Sequence, residues 1–242
     1  DGLDPDELSK LGNGRLLMHV CCAPCSEYPL FVLRHEGFSV DGLFYNPNIH
    51  PFEEWLLRLE NLALFSELHG FKAFNHVEPQ MERWLNHPSV EKDKHCAMCY
   101  AMRMDYVAAF AARHGYAAFT TSLLVSPYQN QPLLMQMAET AARRHGVSFY
   151  RRHYMEGYRL GQTMAHDDAL YCQKYCACIF SMLESRYKKK LLKRFDIDPT
   201  TIPVRQTRHC GMSVELPVQK SWSDFSTAEA SQWFAARALS VS

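Results

Sequence analysis

The sequence lacks an excess of charge of either sign. Its 242 residues include 26 Lys and Arg against 26 Asp and Glu, so the formal net charge at neutral pH is zero. A chain without net charge has no overall field that would draw it to nucleic acid or to a membrane surface. Any binding of RNA must therefore depend on a local basic patch.

Long hydrophobic runs are also missing. The most apolar stretches, residues 16–20 and 117–125, are too short to span a bilayer. The acidic opening at residues 1–7 has no initiator Met and does not show the basic, then apolar, pattern of a secretory signal. We therefore expect a soluble, cytoplasmic protein in which residues 1–14 are a disordered or expression-derived segment.

Internal repeats and low-complexity tracts are absent as well, and short apolar runs alternate with amphipathic stretches. The predicted strands cover residues 16–21, 40–45, 71–74, 117–121 and 147–150, and the predicted helices cover residues 26–36, 53–69, 97–114 and 131–145. This alternation predicts an α/β fold with a mainly parallel sheet of about five strands and helices on both faces. One catalytic domain is predicted at residues 15–195, including a helical cysteine-bearing segment at 156–195, followed by a C-terminal extension at 196–242 with a helix around 227–239.

Several polar and sulfur-bearing side chains directly follow the predicted strands. In α/β sheets, ligands bind at the carboxyl ends of the parallel strands. That edge would carry Cys21, Cys22 and Cys25 after the first strand, Tyr45 and Asn46 after the second, and Thr121, Ser122 and Tyr128 after the fourth. We expect all of them to line one crevice.

Eight of the nine cysteines occur in tight clusters, which are residues 21–25 (CCAPC), 96–99 (CAMC) and 172–178, and Cys210 lies apart. An odd, clustered set does not fit a secreted disulfide scaffold, so thiols available for metal or redox chemistry are expected. Two Cys-x-x-Cys pairs and a Cys-x-Cys pair offer more donors than the four that structural zinc takes, which favours an iron–sulfur cluster with a second metal. A single zinc site with spare cysteines, or a thioredoxin-type exchanger, stays open as an alternative.

An ordered set of motifs resembles one known family. The motifs are residues 17–26 (LMHVCCAPCS), 44–49 (FYNPNI), 96–103 (CAMCYAMR), 119–123 (FTTSL), 126–128 (SPY) and 175–178 (YCAC). In order and spacing they resemble the QueH family of epoxyqueuosine reductases over roughly residues 15–185. Separate motifs at compatible positions make this resemblance far more specific than a single Cys-x-x-Cys.

The resemblance implies a fold similar to the ATP-pyrophosphatase-like (HUP) group. ATP use is not expected, because Cys-Cys-Ala-Pro-Cys stands where a phosphate would need a Gly- and Ser-rich loop. The family implies a [4Fe-4S] cluster, an additional mononuclear iron and no cobalamin. The residues implied as ligands are Cys21, Cys22, Cys25, Cys96, Cys99, Cys176 and Cys178.

The implied reaction is the last step of queuosine biosynthesis. The substrate would be tRNA that carries epoxyqueuosine at the wobble position, and two electrons from a small ferredoxin- or flavodoxin-like donor would convert it to queuosine. We expect the second iron to bind the epoxide oxygen while the cluster relays the electrons. A zinc-thiolate tRNA-modifying or tRNA-binding protein on the same fold, or a cluster carrier without catalytic activity, remains an alternative.

Two places depart from the family pattern. Cys172 stands where the family segment Tyr-Arg-Gln-x-Tyr-Cys-Gly-Cys has Arg, so it is either an extra ligand or a thiol without a role. Leu160 and Gly161 stand where Arg-Ser is expected after Tyr158, and they are therefore not carried over as site residues.

Tyr45, Tyr128 and Tyr158 are the candidate catalytic residues, because a Tyr hydroxyl can donate a proton and a Tyr ring can stack on a base. Half-buried loop aromatics are the alternative. His19 is expected to be a hydrogen-bonded core residue. Candidates for contact with tRNA phosphates, or for a merely solvated surface, are Arg143, Arg144, Arg151, Arg152, Arg186, Lys188, Lys189, Lys190, Lys193 and Arg194. Surface positions are expected for His166, Asp167 and Asp168. His209 and Cys210 are expected to be an incidental surface pair, with a ligand pair as the alternative.

Overall fold

A five-stranded sheet, parallel throughout, forms the centre of the computed structural model, which describes residues 14–76, 80–90 and 95–199. The strands are β1 (Arg15–His19), β2 (Ser39–Phe44), β3 (Ala73–Asn75), β4 (Ala118–Thr121) and β5 (Ser148–Phe149). They lie side by side in the order β3-β2-β1-β4-β5. The predicted α/β fold class is confirmed.

β1 is the central strand of this sheet. Its residue Leu16 lies opposite Val40 of β2 on one side and opposite Ala118 of β4 on the other. The side chains from Leu16 to His19 are fully buried. Strands covered on both faces have a nearly continuous apolar sequence, as this one does. β1 therefore places the loop that follows it in the middle of the sheet edge.

Eight α-helices accompany the sheet in the described part of the chain. They are α1 (Ala23–His35), α2 (Phe52–Leu68), α3 (Met81–Leu85), α4 (His95–Arg113), α5 (Gln131–His145), α6 (Tyr158–Asp167), α7 (Ile179–Glu184) and α8 (Lys188–Arg194). Parallel crossovers are almost always right-handed, so the strand order places α1 and α2 on one face and α4 and α5 on the other. The contacts agree, since α1 packs against α2 and α6, and α4 packs against α5.

Local sequence explains where individual helices begin and how closely they approach. α5 begins after Asn130, whose side chain accepts a hydrogen bond from the Leu133 N–H at 3.2 Å, and it ends at Gly146 with a left-handed φ of 65°. The chain entering α6 passes close to α1 at Gly157, where a Cβ atom would lie 2.2 Å from the Tyr28 ring. A larger residue at this position would push α6 away from α1.

A second, smaller hydrophobic core lies beside the main one. It includes Trp84 of α3, Cys99 of α4, Phe180 of α7 and Leu191 of α8. The main core contains the cysteines of the loop after β1, whereas Cys99 and Cys178 belong to the smaller core. The predicted sulfur ligands are therefore divided between two packing units.

The cysteine-bearing part of the segment at 156–195 differs from the prediction. Helices α6, α7 and α8 lie within it, but residues 168–178 are not helical. Arg58 donates hydrogen bonds to the carbonyl oxygens of Tyr175 and Cys176, and the Asn61 side chain accepts one from the Tyr171 N–H. Side chains of α2 thus satisfy backbone groups that a helix would have paired internally.

Some predictions lie outside the described residues, namely those for residues 1–13, His209, Cys210 and the helix around 227–239. Within the ranges that the structure describes, no helix combines the length and the apolar character needed to cross a membrane.

Candidate metal centre

The loop after β1 lies where the order of the sheet reverses. β2 flanks β1 on one side and β4 on the other, so a crevice opens between the connections that leave β1 and β4. Ser122 bridges this crevice, because its Oγ accepts a hydrogen bond from the Cys21 N–H at 3.1 Å and donates one to Cys21 Sγ at 3.3 Å. The structure thus brings together the ends of β1 and β4 as the sequence predicts.

Cys21, Cys22 and Cys25 form a compact thiol group at this point. Their Sγ atoms all lie within 4.8 Å of one another, and the Cys21 and Cys22 sulfurs are 3.7 Å apart. Cys22 is the N-cap of α1, and Cys25 lies in its first turn. The positive end of the helix dipole favours negative charge on these sulfurs.

The three thiols hold their protons with unequal strength. Hydrogen bonds from Cys22 and Cys25 keep the pKa of Cys21 well below its ordinary value. Burial raises the pKa of Cys22, and the hydrogen bond to Cys21 raises the pKa of Cys25. One sulfur is therefore disposed to be a thiolate, and a bound metal would displace the protons of the other two.

Gln173 is a residue of this site that the sequence did not single out. Its Nε2 donates a hydrogen bond to Cys22 Sγ at 2.9 Å and lies 3.6 Å from Cys25 Sγ. An amide donor of this kind stabilises negative charge on sulfur. The sequence feature that could have identified Gln173 as a site residue is its position three residues before Cys176, within the last cysteine motif.

Cys99, Cys176 and Cys178 make up a second thiol group, defined by the electrostatic influence that they have on one another's pKa. Burial raises the pKa of Cys178 to about 12, and the neighbouring Cys176 and Cys99 add to the shift. Burial also raises the pKa of Cys99, with Cys176 again contributing. Gln129 Nε2 donates a hydrogen bond to Cys176 Sγ at 3.1 Å, so each thiol group has an amide donor.

A buried arginine connects the two thiol groups electrostatically. Arg103 is 3% exposed, and no carboxylate in the described ranges forms an ion pair with it. Burial lowers the pKa of Arg103, but the surrounding thiols, Cys99 first among them and Cys21 included, raise it overall. A buried cation is costly unless negative charge lies nearby, and thiolates at these positions would supply that charge.

Two of the three predicted tyrosines lie near the first thiol group. Burial raises the pKa of Tyr158, and Cys25 is the next largest cause. Tyr128 is 56% exposed and meets Tyr158 edge-on, with 6.0 Å between the ring centroids. Tyr45 is placed differently, since it is buried and its ring stacks on Tyr106 at 3.8 Å.

His19 is a hydrogen-bonded core residue, as expected. Its Nε2 must donate to the Tyr45 carbonyl oxygen at 3.2 Å, because a carbonyl only accepts, so Nδ1 accepts from the Thr121 hydroxyl at 2.9 Å. Burial, reinforced by the charge of Arg103, lowers the pKa of His19 to about 4. The imidazole is therefore neutral, and both of its nitrogens are occupied by hydrogen bonds.

The two other cysteines of the described ranges differ in their surroundings. Cys96 is buried in the first turn of α4 and, unlike the other cysteines of the described ranges, is not a free thiol, so it could bind a metal only after reduction. Cys172 is half-buried, and its thiol donates to the Leu170 carbonyl oxygen at 3.7 Å instead of to another sulfur. Burial raises the pKa of Cys172, while Lys174 lowers it and Glu27 raises it.

The donor set suits an iron–sulfur centre. Soft thiolate ligands select iron–sulfur clusters or zinc, and hydrogen bonds to the sulfurs tune such clusters. This chain offers three sulfurs within 4.8 Å of one another and a second thiol group. Donors to these sulfurs come from Ser122, Gln173 and Gln129. The buried charge of Arg103 also matches a centre of net negative charge.

The fold and the site define a class of protein, an α/β protein with a buried, sulfur-rich centre where a parallel sheet reverses its order. The family model described as Epoxyqueuosine reductase QueH matches residues 16–184. The chain belongs to this family.

Relatives from distant bacteria support this membership. The chain is 36% identical over 170 residues to the epoxyqueuosine reductase QueH of Dehalococcoides mccartyi, which covers 70% of this chain and 93% of the relative. For the Thermotoga maritima protein of the same name the identity is 30% over 190 residues, with 75% and 97% covered. A solved structure of a predicted subunit of a tRNA methyltransferase from Methanocaldococcus jannaschii has a TM-score of 0.45 and 14% identity, covering 83% of this chain and 99% of that one. A likeness of that size carries no argument about function.

Proposed function

We propose that this chain is an epoxyqueuosine reductase, which removes the epoxide oxygen from epoxyqueuosine at the wobble position of tRNA. The reaction consumes two electrons and two protons, breaks both carbon–oxygen bonds of the epoxide, and yields queuosine and water. The observation that carries the proposal is the convergence of Cys21, Cys22 and Cys25 with Gln173 at the crevice, in a chain of the QueH family. The zinc-thiolate alternative is not favoured, because the relatives compared above are named as reductases.

The proposed cofactors are a [4Fe-4S] cluster and an additional mononuclear iron, without cobalamin. The residues that would hold them are Cys21, Cys22, Cys25, Cys96, Cys99, Cys176 and Cys178. When bound, these metals supply electrons one at a time and a Lewis acid for the departing oxygen. A small ferredoxin- or flavodoxin-like protein is the proposed electron donor.

Tyr158 is the proposed proton donor. Because burial and the neighbouring Cys25 raise its pKa, its hydroxyl stays protonated at neutral pH and can transfer a proton to the departing oxygen. The exposed ring of Tyr128 beside it offers a stacking surface for the modified base. For Tyr45 we propose a positioning role, since its carbonyl oxygen holds His19 beneath the loop after β1.

The exposed face of α8 is the proposed tRNA-binding surface. The side chains of Lys188, Lys189, Lys190 and Lys193 are exposed, and none forms an ion pair with a carboxylate of the described ranges. Arg144, Arg151 and Arg152 are by contrast paired with Asp105, Glu139 and Glu36. α8 adjoins the cysteine segment, because Arg194 lies 5.9 Å over the Tyr171 ring. Because the proposed substrate is tRNA, we also propose that the reaction takes place in the cytoplasm.

The first test is metal analysis of protein purified without oxygen. We expect about four or five irons per chain with a similar amount of sulfide and broad visible absorption. The same protein, given a chemical reductant and tRNA that carries epoxyqueuosine, should form queuosine, measured by mass spectrometry of the digested nucleosides. One zinc per chain, no sulfide and no conversion would overturn the proposal.

A pair of cysteine variants makes this test specific. Cys22→Ala removes a proposed ligand whose sulfur lies 3.7 Å from Cys21 Sγ, so iron, sulfide and conversion should all fall. Cys172→Ala removes a half-buried thiol whose one hydrogen bond among the described residues is to a backbone carbonyl, so iron and conversion should stay at the wild-type level. Equal losses in both variants would show that the ligand assignment is wrong.

A further inference from the structure

A second cluster of metal-ligating side chains lies outside the cysteine centre. Glu27 of α1, His69 after α2 and Asp168 after α6 place one ligand atom each within 4.8 Å of the other two. His69 Nε2 is 2.9 Å from Asp168 Oδ2 and 3.4 Å from Glu27 Oε2. Asp168 is therefore not the surface residue that the sequence predicts, since its side chain is only 6% exposed, whereas His166 and Asp167 are exposed.

The negative charge of Glu27 is poorly compensated by the described residues. It is 1% exposed, and neither of its carboxylate oxygens accepts a hydrogen bond from a described residue. Among the described residues, His69 is its only ion-pairing neighbour. Nε2 of His69 carries at most one proton, and at 2.9 Å that proton is directed to Asp168. A buried carboxylate without a hydrogen bond is costly unless a cation lies against it.

The backbone around the cluster also favours a cation. His69 is the C-cap residue of α2, and Asp168 is the C-cap residue of α6. The C-terminal ends of helices carry partial negative charge, so the two helix ends and the two carboxylates add in the same direction. Arg34 fixes this arrangement by donating to the His69 carbonyl oxygen at 2.6 Å.

We propose that Glu27, His69 Nε2 and Asp168 bind a divalent metal ion that accepts mixed nitrogen and oxygen donors, such as Mn²⁺ or Zn²⁺. One imidazole and two carboxylates are a donor set typical of such ions, whereas the all-sulfur centre selects iron–sulfur clusters. The ion ties α1, whose N-terminus carries Cys22 and Cys25, to the ends of α2 and α6. Its role is structural: it fixes the position of α1, and with it the cysteine loop, and it takes no part in the reaction.

The test is a titration of the anaerobically purified, cluster-loaded protein with Mn²⁺. Electron paramagnetic resonance measures the Mn²⁺ that remains free in solution, and bound Mn²⁺ is the difference. Mn²⁺ prefers oxygen and nitrogen donors and competes poorly for thiolates, so it reports on this cluster and not on the cysteine centre. We expect about one Mn²⁺ per chain and a melting temperature that rises with the Mn²⁺ concentration. The rival arrangement, a protonated His69 held between the two carboxylates, predicts no saturable binding, and that result would overturn the proposal.

Matched variants separate the site from general binding to acidic groups. Asp168→Asn and Glu27→Gln should each weaken Mn²⁺ binding by about tenfold or more. Asp105→Asn is the control, because Asp105 is also paired with a histidine, His145, at 3.0 Å but lies at the surface. It should bind Mn²⁺ like the wild type. If Glu27→Gln fails to fold, Asp168→Asn still decides, and wild-type affinity in Asp168→Asn would refute the assignment. Because the readout is Mn²⁺ binding, failure here would leave the reductase proposal untouched.

Discussion

The buried ion pair between Glu54 and Arg58 of α2 should be essential for holding the non-helical cysteine segment. Arg58 Nε donates to Glu54 Oε1 at 2.8 Å, and the side chain of Arg58 is 1% exposed and that of Glu54 0%. The remaining donors of Arg58 reach the carbonyl oxygens of Cys176 at 2.7 Å and Tyr175 at 3.2 Å. Tyr171 completes the network by donating to Glu54 Oε2 at 2.7 Å.

Replacing Arg58 by Met removes all three donors and leaves Glu54 charged and buried. Breaking a buried pair from one side costs about 3–5 kcal/mol. The orphaned carbonyls would add about 1–3 kcal/mol each if they stayed dry, but coupled losses do not add and water can enter at this partly exposed edge. We therefore expect a loss of about 3–5 kcal/mol in the free energy of unfolding, which a domain of ordinary stability survives.

The assay is urea unfolding of the reduced, metal-free chain, combined with iron content after cluster reconstitution. Arg58→Met should lose both stability and iron, because the Cys176 backbone loses its anchor. Arg58→Lys should lose nearly as much, since one ammonium group cannot reach three acceptors in different directions. The double variant Glu54→Gln/Arg58→Met should be more stable than Arg58→Met by at least about 1 kcal/mol, because no uncompensated charge remains.

The control is Arg144→Met, which breaks an ion pair with Asp105 whose arginine is 64% exposed. Exposed pairs contribute about 0–1 kcal/mol. If Arg58→Met were as stable as Arg144→Met, or if it kept wild-type iron content, the claim that this pair anchors the cysteine segment would be refuted.

Three further predictions follow from single features of the structure. Tyr158→Phe should reduce conversion of the tRNA substrate by about 10²–10⁴-fold with unchanged iron content. Tyr128→Phe, the control, should convert the substrate at nearly the wild-type rate. Equal rates in the two variants would show that Tyr158 is not the proton donor. Lys189→Glu should weaken tRNA binding and lower the slope of log K against log salt by about one, whereas Arg144→Glu, at a residue already paired, should change the slope less. Burial lowers the pKa of His50 from 6.5 to about 4, so the unfolded chain takes up its proton first as the pH falls. This contribution to stability is therefore present above pH 6.5 and is lost between about pH 6.5 and 4, up to about 3 kcal/mol, and urea unfolding of His50→Gln should show a correspondingly flatter dependence on pH.

Secondary structure could be predicted well wherever local patterns decide it. The α5 bounds were predicted to the residue, because Asn130 and Gly146 are strong end signals. The segment at 168–178 could not be predicted, since its backbone is held by Arg58 and Asn61 of α2, more than a hundred positions away in the chain. Helical propensity depends on neighbouring residues in the sequence, so it does not include hydrogen bonds from side chains of a distant helix.

The candidate site shows the same division. The sequence alone determined the parallel α/β fold, the edge of the sheet where ligands bind, and the sulfur-rich character of that edge, because periodicity and cysteine spacing are local properties. Only the tertiary structure decided that Gln173 donates to Cys22 across 151 positions, that cysteines of both thiol groups raise the pKa of Arg103, and that Glu27 meets His69 and Asp168. Each of these interactions joins elements that are far apart in the chain and are brought together by packing on the sheet. A pattern of residues along the chain carries no information about distances that the folded core creates.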